Sequence, residues 1–222
     1  MSESPSRLIK TADPTQPAVP QHKISGKVAP VRIFQKDWME ALTLISFKTF
    51  LIFCSVFEGI VFLITLRNNT NSLYTLLYTI AGIPIWLVTE YVLHRFVFHF
   101  RSNNKKIQRL IYIFHGNHHI QPNHPYRTLM PIIVTLPVGL LIWFLFSLSL
   151  GLGRGSALFL GFYAGYTFYD CMHFATHNFR MKRFPLSLWK KHHLFHHYRT
   201  EEHNYSISFP WLDRLFRTHF KS

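Results

Sequence analysis

Residues Leu73 to Leu93 read LYTLLYTIAGIPIWLVTEYVL and run without a break into HRFVFH, residues His94 to His99. A helix needs about 20 apolar residues to cross a bilayer, and this stretch supplies them with one internal charge, Glu90. A span that ends in imidazoles puts metal-ligand chemistry at a membrane face. The combination recurs outward along the chain. Apolar stretches also cover Ala41 to Leu66, Met130 to Leu150 and Ser156 to Asp170, the last of which must continue past its apolar part to span. Lys48 and Glu58 interrupt the first of these. A lysine near a span end snorkels, and an intramembrane glutamate turns toward protein.

Composition agrees with a chain solvated partly by lipid. Of 222 residues 48% are hydrophobic and 15% charged, against about 25% charged in water-soluble globules. The net charge of +14 would ordinarily raise nucleic acid as a partner. Its placement argues against that. Of the 24 lysines and arginines, 21 lie before residue 41, between His94 and Thr128, or after residue 170, and the two connections on the other side hold only Arg67 and Arg154. The positive-inside rule makes the basic face cytoplasmic, with both termini there, and leaves no call for nucleic acid. Residues 1–34, rich in proline and polar side chains, read as a disordered cytoplasmic tail, and 35–222 as a membrane-embedded domain. No long apolar run near the start marks a signal peptide. Cys54 and Cys171 sit inside apolar stretches, so no disulfide framework or thiolate site is expected.

Ten of fifteen histidines form four groups on that cytoplasmic face: His94 and His99; His115, His118 and His119 in HGNHH; His173 and His177 in HFATH; His193, His196 and His197 in HLFHH. Spacing i, i+3, i+4 gathers imidazoles on one side of a helix. His94 and His99, at i+5, would diverge by about 140° in an ideal helix, so they either serve two ions or mark a bend. One such group alone is more often a solvated or capped surface feature than a ligand set. Four groups on one membrane face point to a metal centre, and ten ligands exceed what one ion uses, so two ions share them. His22 and His219 stand outside the pattern; His124, His192 and His203 are spare or supporting candidates. Metal-bound histidines usually lean on a carboxylate or carbonyl through their other nitrogen. Glu90, one turn before His94, and Asp170, ahead of His173 and His177, are the candidates for that role.

EYVLHRFVFHF at Glu90 to Phe100, HGNHH at His115 to His119, YDCMHFATH at Tyr169 to His177 and KKHHLFHHY at Lys190 to Tyr198 resemble the fatty acid hydroxylase superfamily, and within it the fatty acid 2-hydroxylases. The likeness covers roughly residues 35–220. It implies an all-α integral membrane protein, with four transmembrane helices and a cytoplasmic helical lobe holding a histidine-rich dimetal centre. The ten histidines would hold two iron ions, with dioxygen as co-substrate and an acyl lipid hydroxylated at carbon 2. Zinc would occupy the same nitrogens without redox chemistry. Many members carry a cytochrome b5-type haem domain that the tail is too short to hold, so a separate cytochrome b5-like or ferredoxin-like protein would donate electrons. Phe195 stands where the resemblance leads us to expect a polar residue. Arg127, Lys190 and Lys191 are candidates to meet a polar headgroup or an acidic donor.

Two rivals remain open. An acyl desaturase or a sterol or carotenoid oxidase would share the histidine centre and differ in its pocket. A metal transporter would line its spans with ligands, and these four apolar stretches hold no histidine. Pro210 to Phe220 alternates Trp211, Leu212, Leu215 and Phe216 with Asp213, Arg214 and Arg217, as a short interfacial helix capping the lobe would.

Overall fold

The computed structural model describes residues 29–68 and 71–220, so most of the expected tail lies outside the described residues. Among the described residues the regular structure is all helical, with no strand. A short helix α1 (Asp37–Ala41) precedes α2 (Phe47–Asn68), and α3 (Ser72–Val92) continues as a π-helical turn, Leu93–Phe98. Helix α4 (Lys105–Ile111), a second π-helical turn (Tyr112–Gly116) and α5 (Asn117–Ile120) follow one another directly. The chain then forms α6 (Ile132–Leu150), α7 (Leu152–Asn178), α8 (Leu186–Tyr198) and α9 (Trp211–Leu215).

Three helices are long and apolar enough to cross a membrane: Phe47–Asn68, Ser72–Phe98 and Ile132–Leu150, of 22, 27 and 19 residues. At about 1.5 Å per residue they reach roughly 33, 40 and 28 Å, against a hydrocarbon core of about 30 Å. Their outer faces expose Val56, Leu63, Leu76, Leu141 and Phe144. That much continuous apolar surface is unfavourable in water and solvated in lipid.

The fourth expected span falls in α7 and is built differently. Seventeen of its 27 residues are buried, and α2, α3 and α6 all pack on it. A helix surrounded by protein has no need of a lipid-like composition, which is why its apolar run looks short in the sequence. Rings interlock along it, with centroids 5.0 Å apart for Phe57 and Tyr163 and 5.2 Å for Trp86 and Tyr166. Where α3 crosses α7 the backbones touch. A Cβ on Gly161 would lie 1.7 Å from the Thr79 carbonyl oxygen, and Thr79 Oγ1 donates to the Ala157 carbonyl at 3.1 Å. Such close approach is how helices associate where no water drives them together. Gly151, at φ +79°, is the one residue between α6 and α7, and only glycine takes that angle freely.

The C-terminal helix is shorter than the amphipathic stretch implies. Asp213, on the expected polar face, is fully buried, because it organises the loop before it. Gly161→Ala is expected to destabilise the protein in detergent by about 1–3 kcal/mol, the usual cost of overpacking. Gly59→Ala, with nothing within 4 Å of the new methyl, leaves the melting temperature unchanged or raises it. Equal melting of the two variants would refute the α3–α7 contact.

Candidate metal centre

Four helix ends deliver the ten histidines. His94 and His99 close α3, His173 and His177 close α7, His193, His196 and His197 ride on α8, and His115, His118 and His119 span the second π-turn and α5. The i+5 spacing is resolved by the π-helical turn: the His99 N–H bonds to the His94 carbonyl at 3.2 Å. A turn closed i→i+5 is wider than an α-turn and brings residue i+5 back over residue i. The two rings therefore lie 5.0 Å apart and belong to one set, so the bend is realised and the division between two ions is not.

The histidines sort into two sets of five. One holds His94, His99, His115, His119 and His196; the other holds His118, His173, His177, His193 and His197. Within each set the candidate ligand atoms lie within 4.8 Å of one another. Each HxxHH group is shared in the same way: its i and i+4 members join one set and its i+3 member crosses to the other. Neighbouring residues on a helix point about 100° apart, so the adjacent pairs His118–His119 and His196–His197 straddle two sites. α5 and α8 thereby exchange one imidazole each.

The converging atoms are all Nε2. In the first set His94 and His115 approach to 3.1 Å, His115 and His119 to 2.9 Å, and His99 and His196 to 2.9 Å. In the second, His118 lies 2.8 Å from His173 and 3.2 Å from His197, and His193 lies 2.8 Å from His177 and 3.0 Å from His197. Two nitrogens at right angles around one ion, each about 2.1 Å from it, sit about 3 Å apart. The spacing is that of neighbouring corners of a coordination shell.

Three of the opposite nitrogens in the first set are held. His94 Nδ1 meets the Tyr205 carbonyl, and His196 Nδ1 donates to the His203 carbonyl at 2.8 Å. A donor contact there leaves the Nε2 lone pair for a ligand bond. His119 Nδ1 lies 3.4 Å from Glu201 Oε1. Burial pushes His115, His118, His193, His196 and His197 well below the ordinary histidine range, and neighbouring imidazoles push the same way. Neutral imidazole is the form a metal binds, so the donor set fits a pair of ions.

The candidate supporting carboxylates act one step further out. Glu90 Oε1 accepts the Ile207 and Ser208 N–H groups at 2.5 and 2.9 Å, and Asp170 Oδ2 accepts the Tyr166 hydroxyl at 2.8 Å and the Met130 N–H at 3.2 Å. Both hold the frame that carries the histidines, and the described ring contacts go to carbonyls and Glu201. Asp213 does similar work, accepting the Tyr205 and Ser206 N–H groups at 2.9 and 2.8 Å and pairing with His192 at 3.0 Å. Sequence reasoning missed Asp213, Glu201 and the Tyr205 and His203 carbonyls. Backbone carbonyls leave no side-chain signature; Asp213 follows no helical period with the ten histidines, and Glu201, four residues after His197 but beyond the end of α8, pairs instead with His119.

His124, His192, His203 and His219 lie outside both sets, and His22 outside the described residues. Lys190 donates to the Thr176 and Phe179 carbonyls at 2.5 and 2.7 Å, capping α7 and holding α8 against it. Lys191 is exposed, its ammonium 5.2 Å from the Phe195 ring centre. Arg127 is buried, pairs with Glu40 and donates to Thr43 Oγ1 at 2.7 Å. It also lines a largely apolar cavity of about 230 Å³ whose wall includes His115, His118 and His173, members of both sets.

Comparison with known proteins agrees with this geometry. The sequence model described as fatty acid hydroxylase matches residues 79–218. The chain is 31% identical over 137 residues to a dihydroceramide fatty acyl 2-hydroxylase, FAH2, of Arabidopsis thaliana, covering 62% of this chain and 58% of the relative. It is 34% identical over 142 residues to a ceramide very long chain fatty acid hydroxylase, scs7, of Schizosaccharomyces pombe, covering 63% and 41%. The fatty acid 2-hydroxylase of Rattus norvegicus is 31% identical over 142 residues, covering 63% and 38%. These matches therefore span about two fifths to three fifths of the relatives' length. The solved structure of full-length scs7p, in which only the hydroxylase domain is visible, superposes with a TM-score of 0.76 at 28% identity, covering 83% of this chain and 70% of that one. With well over half its length matched by the family's sequence model, and the histidine-bearing helix ends inside the match, this chain belongs to the fatty acid hydroxylase family.

Proposed function

We propose that this chain is a di-iron membrane oxygenase that hydroxylates the acyl chain of a lipid at carbon 2, with dioxygen as co-substrate and electrons from a separate donor protein. The observation that carries the reading is the exchange of imidazoles between two sets of five Nε2 donors, which ties two ion positions into one centre. The named relatives, hydroxylases of fatty acids and ceramides, supply the substrate class.

When bound, two reduced irons would supply what no side chain here can: activation of dioxygen and, with it, oxidative cleavage of the C–H bond at carbon 2. The balance is one CH₂, one O₂, two electrons and two protons in, one CHOH and one water out. The protein's residues do the rest. The ten histidines would hold the ions through neutral imidazoles, and the Tyr205 and His203 carbonyls fix the tautomers of His94 and His196. The apolar cavity beside His115, His118 and His173 excludes water and orients the acyl chain. α7 joins α2, α3 and α6 as a fourth spanning helix, the histidine-bearing ends form a cytoplasmic lobe, and both termini lie on that side, as the basic face requires. Exposed Lys191 is a contact for an acidic donor protein, while Arg127 and Lys190 serve substrate binding indirectly, by holding the walls around it.

Protein purified without oxygen is expected to carry about two irons per chain and, once dioxygen and a reduced donor protein are added, to convert acyl lipid to its 2-hydroxylated form, read by mass spectrometry. His119→Ala and His173→Ala each remove a ligand from a different set; each is expected to lose about one ion, with activity falling at least about 100-fold, the upper end of what losing even an outer contact costs. A product two hydrogens lighter, in place of one oxygen heavier, would overturn the hydroxylase reading in favour of a desaturase.

The metal-free protein has a definite pH response. Its buried histidines stay neutral in the fold while their unfolded counterparts, at the ordinary value of 6.5, take up protons below it. The unfolded state then binds more protons, so stability is full above about pH 7 and falls on acidification. With several such groups the slope exceeds about 1.4 kcal/mol per pH unit. Chemical denaturation at pH 7.5 and 5.5 measures it, and a flat profile would contradict the neutral cluster.

A further inference from the structure

The cavity beside the histidines is closed on one side by a segment that lies outside the matched family region. Residues 29–45 run from the first described residue through α1 to the start of α2, and Phe34, Trp38, Met39 and Leu42 line the cavity. This strap is tied down along its length. The Val31 N–H donates to Gln121 Oε1 at 2.7 Å, and Arg127 Nη2 donates to the Val31 carbonyl at 2.9 Å. Glu40 turns back on the chain, accepting the Ile33 and Phe34 N–H groups on Oε2 at 3.0 and 2.8 Å while pairing with Arg127 through Oε1. Both charges of that pair are buried, at 7% and 5% exposure. A buried charge is costly to leave unpaired, so the pair sets the register of the strap.

Two features give the strap a role toward substrate. At about 230 Å³ the cavity is below the ~300 Å³ where ordinary small-molecule pockets begin, so it admits a stretch of a chain and its wall side chains limit what enters. Trp38 and Leu42 line the cavity and are also exposed, at 64% and 48%, as is Ile133 of the adjoining first turn of α6 at 54%. An apolar lining that opens onto an apolar rim beside a candidate membrane span suits the acyl chain of a membrane lipid as occupant.

We propose that the strap is the specificity-determining wall of the acyl site, with Met39, which is half-buried, setting how long a chain segment is held beside the two histidine sets. This rests on the lipid-oxygenase reading above. Removing the Met39 thioether enlarges the cavity by about three heavy atoms, and replacing it with indole fills it.

The test supplies the metal-loaded protein with dioxygen and a reduced donor protein, in vesicles containing equal amounts of N-octanoyl and N-dodecanoyl sphingoid bases, whose chain ends fall near the far end of a cavity of about 230 Å³. The ratio of long to short 2-hydroxylated product is measured for wild type, Met39→Ala and Met39→Trp, with metal per chain as the check on folding. Met39→Ala is expected to raise the ratio about tenfold and Met39→Trp to lower it by a similar factor. In parallel, hydrogen exchange is read on residues 29–45 of the same protein with and without each lipid; slower exchange of the strap on lipid addition is expected whether or not turnover occurs. Wild-type product with ratios within twofold across all three proteins, or a strap whose exchange ignores lipid, overturns the proposal and leaves the oxygenase reading standing. Strap protection that follows Met39 without any hydroxylated product supports the wall and overturns the oxygenase reading. Absence of both product and protection overturns the two together.

Discussion

Ten imidazoles with converging lone pairs have to be kept neutral at one end of a helical bundle, and most other features serve that requirement. Lone pairs about 3 Å apart repel unless a cation or a shared proton lies between them, and burial makes protonation costly. Four helix ends must therefore hold the rings in place against their own repulsion. α7 is the post for this. Its glycines let α3 approach until the backbones touch, so His94 and His99 arrive beside His173 and His177 at a fixed height. Lys190, bound to the last carbonyls of α7, brings α8 and its three histidines to the same place.

The exchange of one ring each between α5 and α8 makes the two sets interdependent. Displacing α8 disturbs both, because His196 belongs to one and His193 and His197 to the other. The loop 203–208 is held with matching care. Glu90 and Asp213 between them take up the N–H groups of Tyr205, Ser206, Ile207 and Ser208, and the carbonyls of His203 and Tyr205 then face His196 and His94. Carboxylates in this protein orient backbone, and that backbone orients the rings.

Much of this was legible in the residues. Periodicity and length marked the apolar stretches, and the HxxHH spacing announced shared helix faces. The pairing of rings into sets was not legible. His94 and His99 looked incompatible in an α-helix, and a π-turn reconciled them. Asp213 read as a surface acid and is a buried hub. Arg127 read as a free cation for substrate and is tied to Glu40, a partner 87 residues away.

By itself the sequence determined the helical architecture, the membrane character and the identity of the metal-ligand candidates, because these follow from local hydrophobicity and from residue spacing along one helix. Only the tertiary structure decided which imidazoles share a site, which carbonyls hold them, that α7 is an inner post, and that residues 29–45 close the cavity. Those outcomes depend on contacts between segments far apart in the chain, where close approach at glycine and the need to pair buried charge select one arrangement, and neither leaves a periodic trace.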